Sequence, residues 1–191
     1  MKKWIWIGVV AVVAIFFYAT YNGFIGKEEG VNAAWSNVET QYHRRSDLIP
    51  NLANSVKGYA AHESQTLGEV TEARAKATSI NLSAGELTPE RLAQFQQAQA
   101  DVRSALGRLI AVAESYPDLK ANQNFIELQS QLEGTENRIA VARKDFNDAA
   151  RKYNVAVRRF PSNLVAALFG FDQKPYFEAA EGTETAPQVE F

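Results

Sequence analysis

Residues 4–26 carry no charged side chain, and this run constrains the chain more than any other feature. It reads Trp4-Ile5-Trp6-Ile7-Gly8-Val9-Val10-Ala11-Val12-Val13-Ala14-Ile15-Phe16-Phe17-Tyr18-Ala19-Thr20-Tyr21-Asn22-Gly23-Phe24-Ile25-Gly26. A helix rises about 1.5 Å per residue, so about 20 apolar residues cross a hydrocarbon core of about 30 Å. The segment is long enough to span. Trp4, Trp6, Tyr18 and Tyr21 stand near its ends, where amphipathic rings favour the membrane interface. A cleaved secretory leader has a shorter apolar core, roughly 7–15 residues, ahead of a small-x-small cleavage site. Phe17-Tyr18-Ala19 is a poor cleavage site, so an uncleaved anchor is expected.

Charge divides the rest of the chain. Of 20 basic and 22 acidic side chains, only Lys2 and Lys3 fall in residues 1–26, and Lys174 with five acids falls in residues 172–191. That leaves 17 of each sign in the body, residues 27–171. A neutral body argues against nucleic acid as a partner, because phosphate binding needs a net basic surface. The chain has no cysteine, which excludes disulfides, thiolate metal sites and cysteine nucleophiles. Lys2, Lys3 and the amino terminus flank one end of the span; Lys27, Glu28 and Glu29 flank the other. Positive charge stays cytoplasmic, which favours a single pass with the amino terminus inside and the body outside, in a periplasm or extracellular space. Arg44 and Arg45 lie close enough to keep a cytoplasmic body as the alternative.

Beyond Gly30 the apolar residues recur at alternating steps of three and four. The first series runs Trp35, Val38, Tyr42, Arg45, Ile49, Leu52, Val56, Tyr59, Glu63, Thr66, Val70 and on to Ile80. The second runs from Leu92 to Tyr116 and the third from Ala121 to Phe160. That mean step is the coiled-coil period, which strands cannot produce. Thr88 is placed to cap the second helix with Pro89 at its first position, and Pro117 and Pro161 end the second and third helices. Glu72–Lys76 and Asp148–Lys152 have the spacing of exposed helical ion pairs.

The expected fold is all-α. A single N-terminal transmembrane helix precedes an elongated antiparallel three-helix coiled-coil-like bundle, a short C-terminal apolar helix and an acidic tail. The boundaries expected are 1–30 for the anchor and its link, 31–160 for the bundle, 161–177 for the short apolar helix and turn, and 178–191 for the flexible tail. Pro175-Tyr176-Phe177 are expected to share that mobility. On this reading the second helix covers the first only from about residue 52 upward. The face made by Trp35, Val38, Tyr42 and Ile49 then has no partner within the protomer, and a neighbouring copy would cover it. A bend at Pro50 is the alternative.

No catalytic constellation is legible. His43 and His62 are the only imidazoles, and neither has the spacing of a zinc-protease helix. Glu127, Glu133 and Glu136 read as a solvated helix face, with no Glu-x-x-His pair to support a di-iron bundle. Neither a metal nor a cofactor is expected, and the chain is expected not to be an enzyme. The densest polar cluster is His43-Arg44-Arg45-Ser46-Asp47. Arg45 occupies a seam position and must pair with a carboxylate or snorkel out, because an unpaired buried charge is costly. The residues expected to contact another copy or a partner are Trp35, Val38, Tyr42, Arg44, Arg45, Asp47 and Pro50, with Leu164, Leu168 and Phe169 of the short apolar helix.

Several stretches together resemble the LemA family of bacterial membrane proteins. They are Tyr21-Asn22, Trp35, Val38, Tyr42-His43-Arg44-Arg45-Ser46-Asp47-Leu48-Ile49-Pro50-Asn51-Leu52 and Val56-Lys57-Gly58-Tyr59-Ala60-Ala61-His62-Glu63. Glu114-Ser115-Tyr116-Pro117-Asp118-Leu119-Lys120-Ala121, Asn124-Phe125, Leu128-Gln129, Leu132-Glu133-Gly134-Thr135-Glu136-Asn137-Arg138-Ile139-Ala140 and Phe160-Pro161 continue the match nearly end to end. The resemblance implies one amino-terminal membrane helix and a helical-bundle body, and no defined activity. Some members of the family resemble lipoproteins with a lipid-modified cysteine in place of the span; this chain must anchor through its apolar helix.

The function expected is a non-enzymatic membrane-anchored scaffold that self-assembles into a homo-oligomer in the bacterial envelope. Its partners would be membrane lipid and its own copies. The alternative is an adaptor or regulator that docks a membrane protease or another envelope protein.

Overall fold

The first helix, α1, runs from Lys2 to Tyr59 without interruption, so the uncharged apolar run and the first rod of the body are one element. Its 58 residues make it about 87 Å long at 1.5 Å per residue. This is seen in a computed structural model, which describes residues 2–178. The most apolar window of α1 has none of its residues buried within the chain. Trp4, Trp6 and Tyr18 are largely exposed, and Tyr21 is partly so. The all-α class and the single long apolar N-terminal helix hold among the described residues.

The rod expected from Trp35 to Ile80 is in two pieces. α1 stops at Tyr59, residues 60–63 turn, and α2 runs Ser64–Ser79. The last α1 bond is Ala60 N–H to Val56 C=O at 2.8 Å, and Glu63 N–H to Ala60 C=O at 3.1 Å closes the turn. The apolar step continues in phase across the reversal, which is why periodicity alone misses it. α2 then folds back along α1. Arg74 reaches Ser46 C=O, and Leu82 C=O sits at Trp35.

Pro50 lies inside α1, and the helix continues through it. Its missing N–H frees the Ser46 carbonyl four residues earlier. The Arg74 guanidinium donates to that carbonyl at 2.9 Å, so a neighbouring helix supplies the donor that proline removes.

After a single 3-10 turn at Ala84–Glu86, α3 spans Pro89–Glu114. Thr88 caps it as expected, its hydroxyl accepting from Arg91 N–H at 3.2 Å, with Pro89 at the first position. α3 runs antiparallel to α2, as the ion pairs Lys76–Asp101 and Arg108–Glu69 show. The short α4 (Pro117–Lys120) leads into α5, Gln123–Arg158, capped by the Asn122 side chain on Phe125 N–H. α5 descends antiparallel to α1: Glu136 meets Arg45, and Phe146 meets Trp35. The distal half is therefore a four-helix arrangement of α1, α2, α3 and α5, where a continuous first rod would have made three.

The expected side-chain pairs along single helices are redirected. Lys76 pairs with Asp101 of α3, and Asp148 pairs with Lys144 and Arg151. The cross-helix carboxylate outcompetes Glu72 for Lys76.

Two buried clusters run along the bundle. The distal one includes Ile49, Leu52, Val56, Val70, Leu106, Leu109, Phe125 and Leu132. The one nearer the span includes Phe24, Val31, Trp35, Val38, Tyr42, Phe95, Ile139, Phe146, Tyr153 and Phe177. The lower face of α1 is thus covered inside the protomer by α5, the chain around Leu82 and a C-terminal segment. α6, Ser162–Phe169, packs Val165 and Ala166 inward and ends at Gly170. Gly170 has φ +72°, a left-handed cap in which a side chain would be strained. The acidic tail expected at 178–191 lies outside the described residues except for Glu178.

Candidate functional site

The most elaborated region is the groove between α1 and α5, filled by the extended segment 171–178. Trp35 organises its upper end. The indole N–H donates to Leu82 C=O at 2.8 Å, and the ring meets Phe95 and Phe146 edge-on at 5.5 and 5.6 Å. Phe177 stacks on the same indole at 6.0 Å with an interplanar angle of 17°. Such pairs add about 0.5–1.5 kcal/mol beyond area burial.

The segment is held by its backbone. Asn154 donates to Lys174 C=O and accepts from Lys174 N–H, both at 2.8 Å. Asn147 does the same for Phe177, donating at 3.0 Å and accepting at 2.8 Å. The two asparagines are seven residues apart on α5, about 10.5 Å along the axis. Lys174 and Phe177 are three apart in an extended chain, about 10 Å. The matched spacing lets two side-chain amides bracket one strand-like peptide. Side chains then fix its register. Lys174 Nζ pairs with Glu28 at 2.7 Å and lies over the Tyr153 ring. Arg143 covers the Phe177 ring and donates to Glu178 C=O at 2.8 Å. Phe171 anchors the start against Tyr21 and Phe24. Pro175, Tyr176 and Phe177, expected to be mobile, are therefore bound. Sequence reasoning missed Asn147 and Asn154; two asparagines at a seven-residue helical spacing are the available signal.

Arg45 forms a second node beside this groove. Its side chain is 3% exposed and pairs with Glu136 at 2.8 Å. Its other arm donates to the Gln99 carbonyl at 3.1 Å and to the Gln99 side-chain oxygen. The guanidinium also lies 5.1 Å from the Tyr42 ring. Of the two outcomes open to a seam arginine, pairing rather than snorkelling occurs, and Glu136, read as part of a solvated face, is the partner. Burial raises the Tyr42 phenol above its usual range, against the opposing field of Arg143 and Arg45. Burial likewise raises the Glu39 carboxyl. A small cavity of about 50 Å³ lies among α1, α2 and α3, lined by Ser46, Arg74 and Gln99 among others. The Ser46 hydroxyl is buried there without a protein partner.

The residues expected to make contacts sort into two groups. Trp35, Val38, Tyr42 and Arg45 are interior, so the premise that this face lacks a partner in the protomer does not hold. Arg44, Asp47 and Pro50 are exposed on the opposite side of α1, and Leu164, Leu168 and Phe169 are exposed on α6. His43 and His62 are both exposed, one on α1 and one in the 60–63 turn. Among the described residues no group of three or more His, Cys, Asp or Glu is placed to hold a metal ion. What the arrangement does chemically is grip an extended peptide.

A protein from Paramagnetospirillum magneticum named Magnetosome protein MamQ 2 is 29% identical over 94% of this chain and 73% of its own length. Magnetosome protein MamQ of Magnetospirillum gryphiswaldense is 27% identical over 96% of this chain and 75% of its own. Protein LemA of Metamycoplasma hominis is 24% identical over 90% of this chain and 76% of its own. The LemA family model matches residues 34–191, which takes in the Arg45 node, the Asn147–Asn154 bracket and the bound segment. With most of the chain so matched, this protein belongs to the LemA family.

Proposed function

We propose that this protein is a non-enzymatic, membrane-tethered scaffold that assembles by exchanging its C-terminal segment between copies. The observation that carries the reading is the bracketed segment 171–178. Its hold is backbone-directed and modular, with Lys174 and Phe177 as side-chain anchors. An arm attached this way docks on the same groove of a neighbouring copy with identical contacts, so exchange costs little beyond the hinge. Tethering to a membrane favours it further, because confinement raises the effective concentration of neighbours. The body is placed outside the cytoplasm, on the charge asymmetry that flanks the span.

The absence of cysteine makes the test clean. Gln96 and Glu178 both line the open cleft at the end of the segment, and Arg143 contacts both. Full-length chains carrying only Gln96→Cys are mixed in mild detergent with chains carrying only Glu178→Cys. Exchange gives a disulfide-linked dimer, and light scattering gives a mass above the monomer. A clean monomer, with the disulfide formed only when both substitutions sit in one chain, overturns the proposal. Asn147→Ala with Asn154→Ala should abolish the dimer while the helical content stays.

The adaptor reading rests on a separate observation. Arg44, Asp47 and Pro50 are exposed together on α1, away from the segment-filled groove. Charge reversal at Arg44 and Asp47 that leaves self-assembly intact but releases a co-purifying envelope protein favours it.

A further inference from the structure

Where α5 ends and α6 begins, the chain comes back against the anchor itself. Phe169 packs edge-on against Tyr21 at 5.0 Å, and Phe16 and Phe17 lie against the buried cluster that holds Phe24. Counting about 20 residues from Trp4 places the far edge of a hydrocarbon core of about 30 Å near Phe24. α6 is therefore at the depth of the membrane interface. Its inward residues are Val165 and Ala166, yet Leu164, Leu168 and Phe169 are 58%, 67% and 51% exposed, as is Phe160 at 77%. Leu164 and Leu168 are one turn apart on one stripe. This apolar surface continues the uncovered surface of the span, so one bilayer covers both.

Beside it lies an open groove of about 430 Å³ between α1 and α5. Its floor is small, with Ala19, Thr20 and Gly23 on α1, and its rim carries Lys27, Lys152 and Arg159. No acidic residue lines it. Lys152 lies on α5 and Arg159 caps its C-terminus, and both line the groove. Neighbouring carboxylates are engaged elsewhere: Glu28 holds Lys174, and Asp148 holds Lys144 and Arg151. Among the described residues, none of the three rim cations is in an ion pair. Lys27 Nζ makes only a long contact, 3.3 Å, to Gly23 C=O.

We infer that this groove binds the phosphate headgroup of an acidic phospholipid, while the exposed stripe of α6 lies in the interface beside it. Three cations converge at headgroup depth, small residues make room for a headgroup, and the leucine stripe meets acyl chains. The short helix lacks its own basic face, and α5 and α1 supply one. The span then acts as one of two membrane attachments, which orients the bundle instead of leaving it to swivel on a single rod.

The test uses the full chain in nanodiscs of phosphatidylcholine with phosphatidylglycerol. A nitroxide on Leu168→Cys, the sole cysteine, reports depth by oxygen against nickel accessibility. It should lie at or below the phosphate plane; water exposure equal to that of a label at Arg103→Cys overturns the interface placement. Native mass spectrometry then compares retention of the two lipids. A cation near an acidic leaflet is worth roughly fivefold in binding, so Lys27→Gln, Lys152→Gln and Arg159→Gln together should weaken phosphatidylglycerol retention on the order of a hundredfold. Phosphatidylcholine retention should be little changed. Unchanged phosphatidylglycerol retention in the triple variant overturns the headgroup site. Displacement by millimolar inorganic phosphate assigns the groove to free phosphate and overturns the lipid. Circular dichroism of each variant separates loss of binding from loss of fold.

Discussion

Replacing Arg74 should cost more stability with Pro50 in place than without it. Pro50 removes the donor that would have served Ser46 C=O, and the Arg74 guanidinium serves it from α2 at 2.9 Å. Arg74→Met keeps much of the aliphatic packing and deletes the donor. A hydrogen bond to a charged group is worth about 1.5–3 kcal/mol, and partial solvent access puts this one near the lower figure. In a Pro50→Ala background the backbone N–H restored at that position reaches Ser46 C=O directly, and Arg74→Met should then cost about 0.5 kcal/mol. The coupling is the difference, about 1 kcal/mol, well above the scatter of independent sites. For a domain of this size a change of about 1 kcal/mol moves Tm by about 2–4 °C. The assay is thermal and urea unfolding by far-ultraviolet circular dichroism on the four chains of the cycle, in one detergent. If Arg74→Met costs the same with proline at this position as with alanine, the carbonyl-rescue account is wrong.

Two further outcomes follow from buried groups. Glu136→Ala leaves the 3%-exposed Arg45 charge without its carboxylate and should cost about 3 kcal/mol, whereas Arg45→Met leaves Glu136, 30% exposed and able to rehydrate, and should cost about 1 kcal/mol; urea midpoints in the reverse order contradict the assignment of Arg45 as the trapped partner. Tyr153 is fully buried and its phenol is pushed up to about 12, by burial first and then by Glu28 and Asp172. Above pH 10 the unfolded chain loses this proton more readily than the folded one, so stability should fall as pH climbs from about 10 to 12 and be flat with respect to this group below that window. Tyr153→Phe should remove that part of the alkaline slope in pH-dependent melts.

Features decided within a few residues are legible in the chain alone. The uncharged run from Trp4 to Gly26 set the long apolar start of α1, the three-four step set the helices, and Thr88 with Pro89 set the start of α3, because each depends on neighbours no more than about seven positions away. Arg45 at a seam position announced that it would either pair with a carboxylate or snorkel out, and the family resemblance was carried by residues in the chain itself. Tertiary structure alone decided which carboxylate, since Glu136 is 91 positions away. It alone decided that the rod reverses at 60–63, because the apolar phase runs through that turn unbroken and hydrophobicity is non-directional. The bound course of 171–178 was hidden for a related reason. Asn147 and Asn154 recognise backbone atoms, which every residue presents alike, so no side chain in the segment advertises the partner that α5 brings to it.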